Sequence, residues 1–96
     1  MDDKLFTEEQ LETALQTLNV AWSAIPSQGL VRVFETGSFA EGVALIGKLA
    51  QIAEKRDHHP AIRLTVDEVE VTLITHDAGG ITNRDVAMAQ EIDSSS

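Results

Sequence analysis

The sequence predicts a small α+β domain in the order α-β-β-α-β-β-α, with a four-stranded antiparallel sheet and helices packed on one face. Helix-start signals occur three times along the chain, each followed by apolar residues at helical spacing. Two pairs of short apolar segments, each interrupted by turn residues, lie between those helices and are typical of hairpins. Two hairpins separated by a helix favour one antiparallel sheet.

The first helix and the first hairpin occupy the start of the chain. Thr7 and Gln10 fit a capping box, and apolar residues recur at helical spacing after them. We therefore expect a helix over about residues 8–18. Alternating apolar residues over 20–24 and a β-branched and aromatic segment over 30–34 then flank the turn sequence PSQG. This pattern predicts two strands.

The second helix is predicted to begin after Ser38, its N-cap, and to run to about Arg56. Pro60 disfavours helix for the residue before it, so the helix must end before His59. Two glycines inside the helix each weaken it by about 1 kcal/mol relative to alanine, unless close packing requires them. The predicted buried face consists of Phe39, Val43, Ile46, Leu49, Ala50 and Ala53.

The second hairpin follows directly. Apolar residues alternate over 62–66 and again over 69–73, with an acidic pair between the two segments. Continuing the alternation places His76 at the end of the last strand, on the face opposite Val71. The sequence DAGG after it predicts a turn.

Thr82 and Asp85 are the predicted cap and capping acid of a last helix that runs to about Asp93. We expect residues 94–96, SSS, to be a frayed tail. The chain has no repeats and no linker, so residues 1–96 are expected to form a single domain.

Composition narrows the classes of function. Apolar residues make up 43% of the chain, and no apolar run approaches the roughly 18 residues of a membrane-spanning helix. The acidic start is unlike a signal peptide, and the absence of cysteine excludes disulfides and thiolate zinc sites, so we expect a cytoplasmic protein. A formal charge of −9 makes nucleic acid a poor partner. A core this small favours a homo-oligomer as a source of further stability. The lack of a long apolar run favours a protein without membrane contact.

The candidate chemistry lies in EKRDHHPA, residues 54–61. His58 and His59 lie where the second helix ends, and His76, the third histidine of the chain, lies at a strand end. The residues leave three interpretations open. The histidines could complete a helix end, where a cation suits the dipole. They could form a metal site, although the chelating spacings HxH and HxxxH are absent. They could carry out acid–base chemistry, because an ordinary imidazole has a pKa of about 6.5.

These residues resemble the pterin-4a-carbinolamine dehydratases. The pattern of that family is an acidic or similar residue, three residues, His-His-Pro, an aromatic after a short gap, a further His or Trp, and a later Asp. THDAGGITNRD and LVRVFETGSFAEG resemble two further blocks, so the resemblance covers nearly the whole chain. The aromatic position is Val66 here, which would lower affinity or turnover if that side chain shapes the pterin pocket. The matching positions are Glu54, His58, His59, Pro60, His76 and Asp85.

The resemblance implies a hydro-lyase that removes water from 4a-hydroxytetrahydropterin to give quinonoid dihydropterin, in tetrahydrobiopterin recycling. The pterin is then the substrate, and neither a cofactor nor a metal is needed. His58, His59 and His76 are the implied catalytic residues. We expect His58 and His76 to transfer protons and His59 chiefly to bind and orient the substrate.

Other positions are implied to bind substrate or to support the histidines. Asp57, Ile74 and Thr75 match positions that line the pocket, together with the three histidines. Glu54 lies one helical turn before His58 and is expected to contact it. Asp85 is expected to orient His76 as well as to cap its helix.

The resemblance also implies a homo-oligomer, a dimer or a tetramer, that pairs the sheets of its subunits. The alternative function is a catalytically weak or inactive member that acts as a protein-binding or assembly factor. Some animal relatives act as dimerisation partners of a homeodomain transcription factor, and some bacterial relatives are thought to assist assembly of a carbon-fixing enzyme. A metal-binding domain is the third possibility.

Overall fold

The computed structural model of the protein describes residues 4–95 and confirms the predicted order of elements. The strands form one antiparallel sheet in the order β1-β2-β4-β3. None of the helices in this part of the chain is long and apolar enough to cross a membrane. The helices are α1 (Glu8–Leu15), α2 (Phe39–Arg56) and α3 (Asn83–Ser95), and the strands are β1 (Ser23–Ile25), β2 (Gly29–Glu35), β3 (Ala61–Leu64) and β4 (Glu68–Leu73).

The core lies between one face of the sheet and the helices. Strand β4 is central and alternates strictly, because Val69, Val71 and Leu73 are all 0% exposed while the residues between them are partly exposed. Leu49 on α2 and Met88 on α3 complete the same buried cluster. Burial of each such side chain contributes about 1.5–3 kcal/mol, so this layer supplies much of the stability of the fold.

Helix α1 begins as predicted but is shorter than predicted. The Thr7 hydroxyl accepts from the Gln10 amide at 3.1 Å, and the Gln10 side chain accepts from the Thr7 amide at 2.9 Å. The α-helix ends at Leu15 rather than near residue 18. The next three amides, of residues 16–18, donate to carbonyls three residues back at 2.9–3.2 Å. Such bonds are typical of a tightened terminal turn.

Helix α2 has the predicted limits but not the predicted buried face. Phe39 and Val43 are 53% and 50% exposed, and Ala50 is exposed as well, so the prediction is wrong for these three. A Cβ added to Gly42 would lie 2.6 Å from Leu64 Cδ1, which shows how closely the helix approaches the sheet there. The contact line therefore passes through the glycine and not through its larger neighbours. The buried residues of α2 are Gly42, Leu49, Ile52 and Ala53.

Helix α3 extends beyond its predicted end near Asp93. Ser94 and Ser95 are helical, and their hydroxyls donate to carbonyls one turn back at 3.0 and 2.9 Å. The prediction of a tail that begins at residue 94 is therefore wrong for these two serines, and Ser96 lies outside the described residues. The DAGG turn and the Thr82 cap are confirmed.

A polar cluster near the end of α3 ties this helix to the first hairpin. Asp93 Oδ1 accepts from Trp22 Nε1 at 2.8 Å and from Arg32 at 2.7 Å, and Oδ2 accepts from the Asn19 amide at 2.8 Å. The Arg32 and Asp93 side chains are only 13% and 18% exposed. Because the donors come from the loop after α1 and from β2, one carboxylate connects three parts of the fold.

Candidate active site

The two adjacent histidines at the end of α2 lie in different environments. Asp57 adopts the left-handed conformation, with φ 52° and ψ 43°. The His58 amide then donates to the Ala53 carbonyl at 3.1 Å, which closes a helix-ending motif that usually contains glycine. After this reversal His58 is buried, with 7% exposure, whereas the side chain of His59 is 56% exposed.

The buried histidine is bonded to a buried carboxylate. His58 Nε2 lies 2.6 Å from Asp85 Oδ1, and Asp85 is 0% exposed in the first turn of α3. Asp85 Oδ2 accepts from the Thr75 hydroxyl at 2.8 Å and from the Thr82 amide at 2.9 Å. The bond to Thr82 is the capping bond predicted for Asp85. One carboxylate therefore caps α3 with one oxygen and holds His58 with the other.

A cavity of about 230 Å³ lies where the ends of α2, β4 and α3 meet. All three histidines line it, so residues far apart in sequence reach one site. Asp77 and Arg84 also line it, and they are the residues that sequence reasoning missed. Their place in the THDAGGITNRD block was the available signal. Every predicted substrate-binding residue is among the lining residues, which are Asp57, His58, His59, Ile74, Thr75, His76, Asp77 and Arg84.

The comparison with protein families covers the entire described chain. Residues 4–95 match the family model described as pterin 4 alpha carbinolamine dehydratase. The chain belongs to the pterin 4 alpha carbinolamine dehydratase family.

Curated relatives in this family are similar over most of their length. A protein of Nitrobacter winogradskyi, provisionally named pterin-4-alpha-carbinolamine dehydratase, is 41% identical over 86 residues, which is 88% of this chain and 84% of the relative. A protein of Nocardia farcinica with the same provisional name is 39% identical over 93 residues, or 97% of this chain and 96% of the relative.

Two solved structures of related proteins have similar folds. A crystal structure from Brucella melitensis, described as a transcriptional coactivator/pterin dehydratase, has a TM-score of 0.86 at 30% identity and covers 95% of this chain and 97% of that chain. A pterin dehydratase-like protein, described as a RuBisCO assembly factor in the alpha-carboxysome, has a TM-score of 0.58 at 27% identity, with 76% and 83% covered.

Glu54 and Asp85, the two residues expected to support the histidines, contact different histidines from those predicted. Glu54 Oε2 lies 2.7 Å from Nε2 of His59 and not against His58. Asp85 bonds to His58 and not, as predicted, to His76. Both corrections follow from Asp57, because its left-handed conformation turns His58 inward toward α3 and brings His59 back over the last turn of α2.

The two supporting pairs differ in burial and hence in energy. The pair of His59 with Glu54 is open to solvent, since the two side chains are 56% and 77% exposed. Such pairs contribute about 0–1 kcal/mol. The contact of His58 with Asp85 has side-chain exposures of 8% and 0%, so loss of either partner would leave a buried polar group unpaired. Among residues 4–95, no three histidine, aspartate or glutamate side chains are grouped to hold a metal ion.

The aromatic position at which this chain departs from the dehydratase pattern lies away from the cavity. Val66 is 70% exposed in the turn between β3 and β4. The register pairs Ala61 with Thr72 at one end of this hairpin and Leu64 with Val69 at the other, beside the turn. The cavity adjoins the first end, so the length of β3, roughly 3.3 Å per residue, separates it from Val66.

Proposed function

We propose that this protein dehydrates a 4a-hydroxytetrahydropterin to quinonoid dihydropterin and water, as a step in tetrahydrobiopterin recycling in the cytoplasm. The observation that carries the proposal is the buried contact of His58 with Asp85, in a cavity that His76 also lines. Family membership supports the substrate class. The cavity, of about 230 Å³, is smaller than most drug-sized pockets and suits one bicyclic ring.

The chemistry requires one base and one acid. The N5–H and C4a–O bonds break, a C4a=N5 double bond forms, and the hydroxyl departs as water after protonation. A base takes the N5 proton and an acid supplies the proton to the hydroxyl, so the step needs neither a cofactor nor a change of oxidation state. Positioned acid–base groups each accelerate such a step by about 10²–10⁴-fold.

The contacts of each histidine support a division of roles. Nε2 of His58 is in contact with Asp85, so Nδ1 is the ring nitrogen that remains to accept the N5 proton. His76 is exposed in the turn after β4 and protonates the leaving hydroxyl. His59, held by Glu54 at the surface, binds and orients the pterin ring.

The test is dehydration of chemically generated 4a-hydroxytetrahydropterin, followed by ultraviolet absorbance with and without chelator. We expect the wild-type protein to exceed the rate in buffer, and chelator to have no effect. His76→Ala is the cleanest variant because the side chain is exposed, and it should lower kcat by about 10²-fold or more while the fold persists. A wild-type rate equal to that in buffer would overturn the proposal. Loss of activity on chelation would indicate a metal site instead.

A second candidate function is protein binding without catalysis. The similarity to the structure described as a RuBisCO assembly factor favours it. Exposed Phe39 and Val43 on α2 offer an apolar contact surface. We also expect a homo-oligomer, a dimer or tetramer that pairs the sheets of its subunits, and light scattering would measure it. An inactive wild-type protein that is nevertheless folded would favour the second candidate.

A further inference from the structure

We propose that the buried hydroxyls of Thr75 and Thr82 are positioning groups, which hold Asp85 so that His58 carries its proton on Nε2 and its lone pair on Nδ1. This inference rests on the proposed function and deepens it, because it specifies how the base of the reaction is prepared. Neither threonine transfers a proton in the proposed reaction.

The direction of the hydrogen bonds follows from counting protons. A threonine hydroxyl has one proton to donate. Thr75 donates its proton to Asp85 Oδ2 at 2.8 Å. The second contact of that hydroxyl, 2.8 Å from the Thr82 hydroxyl, must therefore be one in which Thr82 donates.

The hydroxyl of Thr82 in turn accepts a hydrogen bond from the backbone of α3. The Arg84 amide donates to Thr82 Oγ1 at 3.2 Å, as expected for a helix cap. The chain of donors thus runs from the Arg84 amide through Thr82 and Thr75 to Asp85. It begins at the N-terminus of a helix, where the amide groups cannot reverse their direction.

The carboxylate at the end of this chain acts only as an acceptor in its ionised form. Oδ2 already takes two donors, one from the Thr75 hydroxyl and one from the Thr82 amide. An ionised carboxylate has no proton to give, so the contact between Oδ1 and His58 Nε2 at 2.6 Å requires the proton on Nε2. In the neutral imidazole Nδ1 is then the acceptor, as a base for the N5 proton must be.

Burial makes the arrangement specific. Thr75 is 1% exposed, and Thr82 and Asp85 are 0% exposed, so little water can replace a lost hydroxyl. The two threonines also lie on different elements, one after the end of β4 and one before α3. Asp85 Oδ2 therefore accepts from two elements, from the Thr75 hydroxyl and from the Thr82 amide, which fixes the plane of the carboxylate relative to the His58 ring.

The test uses the full chain with 15N-labelled histidine. Nitrogen NMR at neutral pH reports which ring nitrogen of His58 is protonated, and dehydration kinetics are measured on the same samples. We expect wild-type His58 to be protonated on Nε2. In Thr75→Val the carboxylate is held less firmly and can turn away from Nε2, so the fraction of His58 protonated on Nδ1 should rise. We expect kcat to fall by roughly tenfold with little change in KM, which is the lower end of the effect known for partners that orient metal-bound histidines. Thr75→Ser keeps the hydroxyl and should restore both.

A matched control is Thr72→Val, the same change on β4 at a residue that does not line the cavity. It should leave the His58 spectrum and kcat unchanged. Wild-type His58 protonated on Nδ1 would overturn the inference without any variant, even if Thr75→Val failed to fold. An unchanged spectrum and kcat in folded Thr75→Val would overturn it as well. If the proposed function is wrong, the wild-type protein shows no turnover, whereas the tautomer of His58 can still be measured. Failure of the proposed function is therefore distinguishable from failure of this inference.

Discussion

Replacement of Asp85 by asparagine changes the donor pattern of the site while the side chain keeps its size. The Oδ2 position receives donors from Thr75 and Thr82 at 2.8 and 2.9 Å, so the amide oxygen of asparagine must occupy it. The amide nitrogen then faces His58 Nε2 across the contact of 2.6 Å, and it can only donate. His58 must in response carry its proton on Nδ1, where the reaction needs a lone pair.

The expected magnitudes separate catalysis from folding. Loss of a positioned general base lowers kcat by about 10²–10⁴-fold, which corresponds to roughly 3–5 kcal/mol of transition-state stabilisation. Stability should fall less, because the asparagine keeps all three hydrogen bonds of Asp85 and exchanges charged bonds for neutral ones. That exchange costs about 1–2 kcal/mol, against about 5–15 kcal/mol for an ordinary domain. The Asp85→Asn protein should therefore remain folded.

Dehydration kinetics and urea unfolding of the same preparation test this expectation. The matched control is Asp67→Asn, at an exposed residue in the turn between β3 and β4. We expect the control to keep the wild-type kcat and Asp85→Asn to lose activity without unfolding. A folded Asp85→Asn protein with the wild-type kcat would refute the reasoning, since His58 would then not need Nδ1 as an acceptor.

Four further substitutions test the packing and the limits of the site. Gly47→Ala should raise the free energy of unfolding by about 0.5–1 kcal/mol, because a Cβ at that position meets nothing within 4 Å. Gly42→Ala should lower the free energy of unfolding, because its Cβ would lie 2.6 Å from Leu64 Cδ1. Urea unfolding decides both signs, and equal signs would contradict the packing of α2. Asp93→Ala should lower the free energy of unfolding by about 2–4 kcal/mol, since three donors lose their acceptor, and leave kcat unchanged in the dehydration assay. Val66→Trp should change neither kcat nor KM, and increased activity would mean that this exposed position lines a pocket only in an oligomer.

The starts of the helices could be predicted because local chemistry determines them, whereas α1 ends earlier and α3 ends later than predicted. Thr7 and Ser38 cap α1 and α2 with their own side chains, and both signals lie within four residues of the sequence. The buried face of α2 could not be predicted in the same way. Apolar periodicity favours large residues such as Phe39, whereas the sheet approaches the helix most closely at Gly42, which has no side chain to signal burial.

Most residues that line the cavity were predictable from the resemblance, with the exception of Asp77 and Arg84, but the pairing of the supporting residues was not. The resemblance brought His58, His59 and His76 together, and the structure places all three at one cavity. Assigning Glu54 to His58 assumed helical geometry over their spacing. That geometry ends at Asp57, whose left-handed backbone is unusual for a residue other than glycine, and the spacing therefore selected the wrong histidine.

Asp85 connects the two candidate functions of this fold. Its capping bond needs only an acceptor on one oxygen, whereas His58 needs an acceptor on the other. An asparagine at this position satisfies the first need and defeats the second, so a single substitution can keep the fold and remove the chemistry. A chain with that substitution is expected to keep this fold without this chemistry. In this chain Asp85 presents an acceptor on both oxygens, beside Thr75, Thr82 and the three histidines, and that combination supports the proposed dehydration.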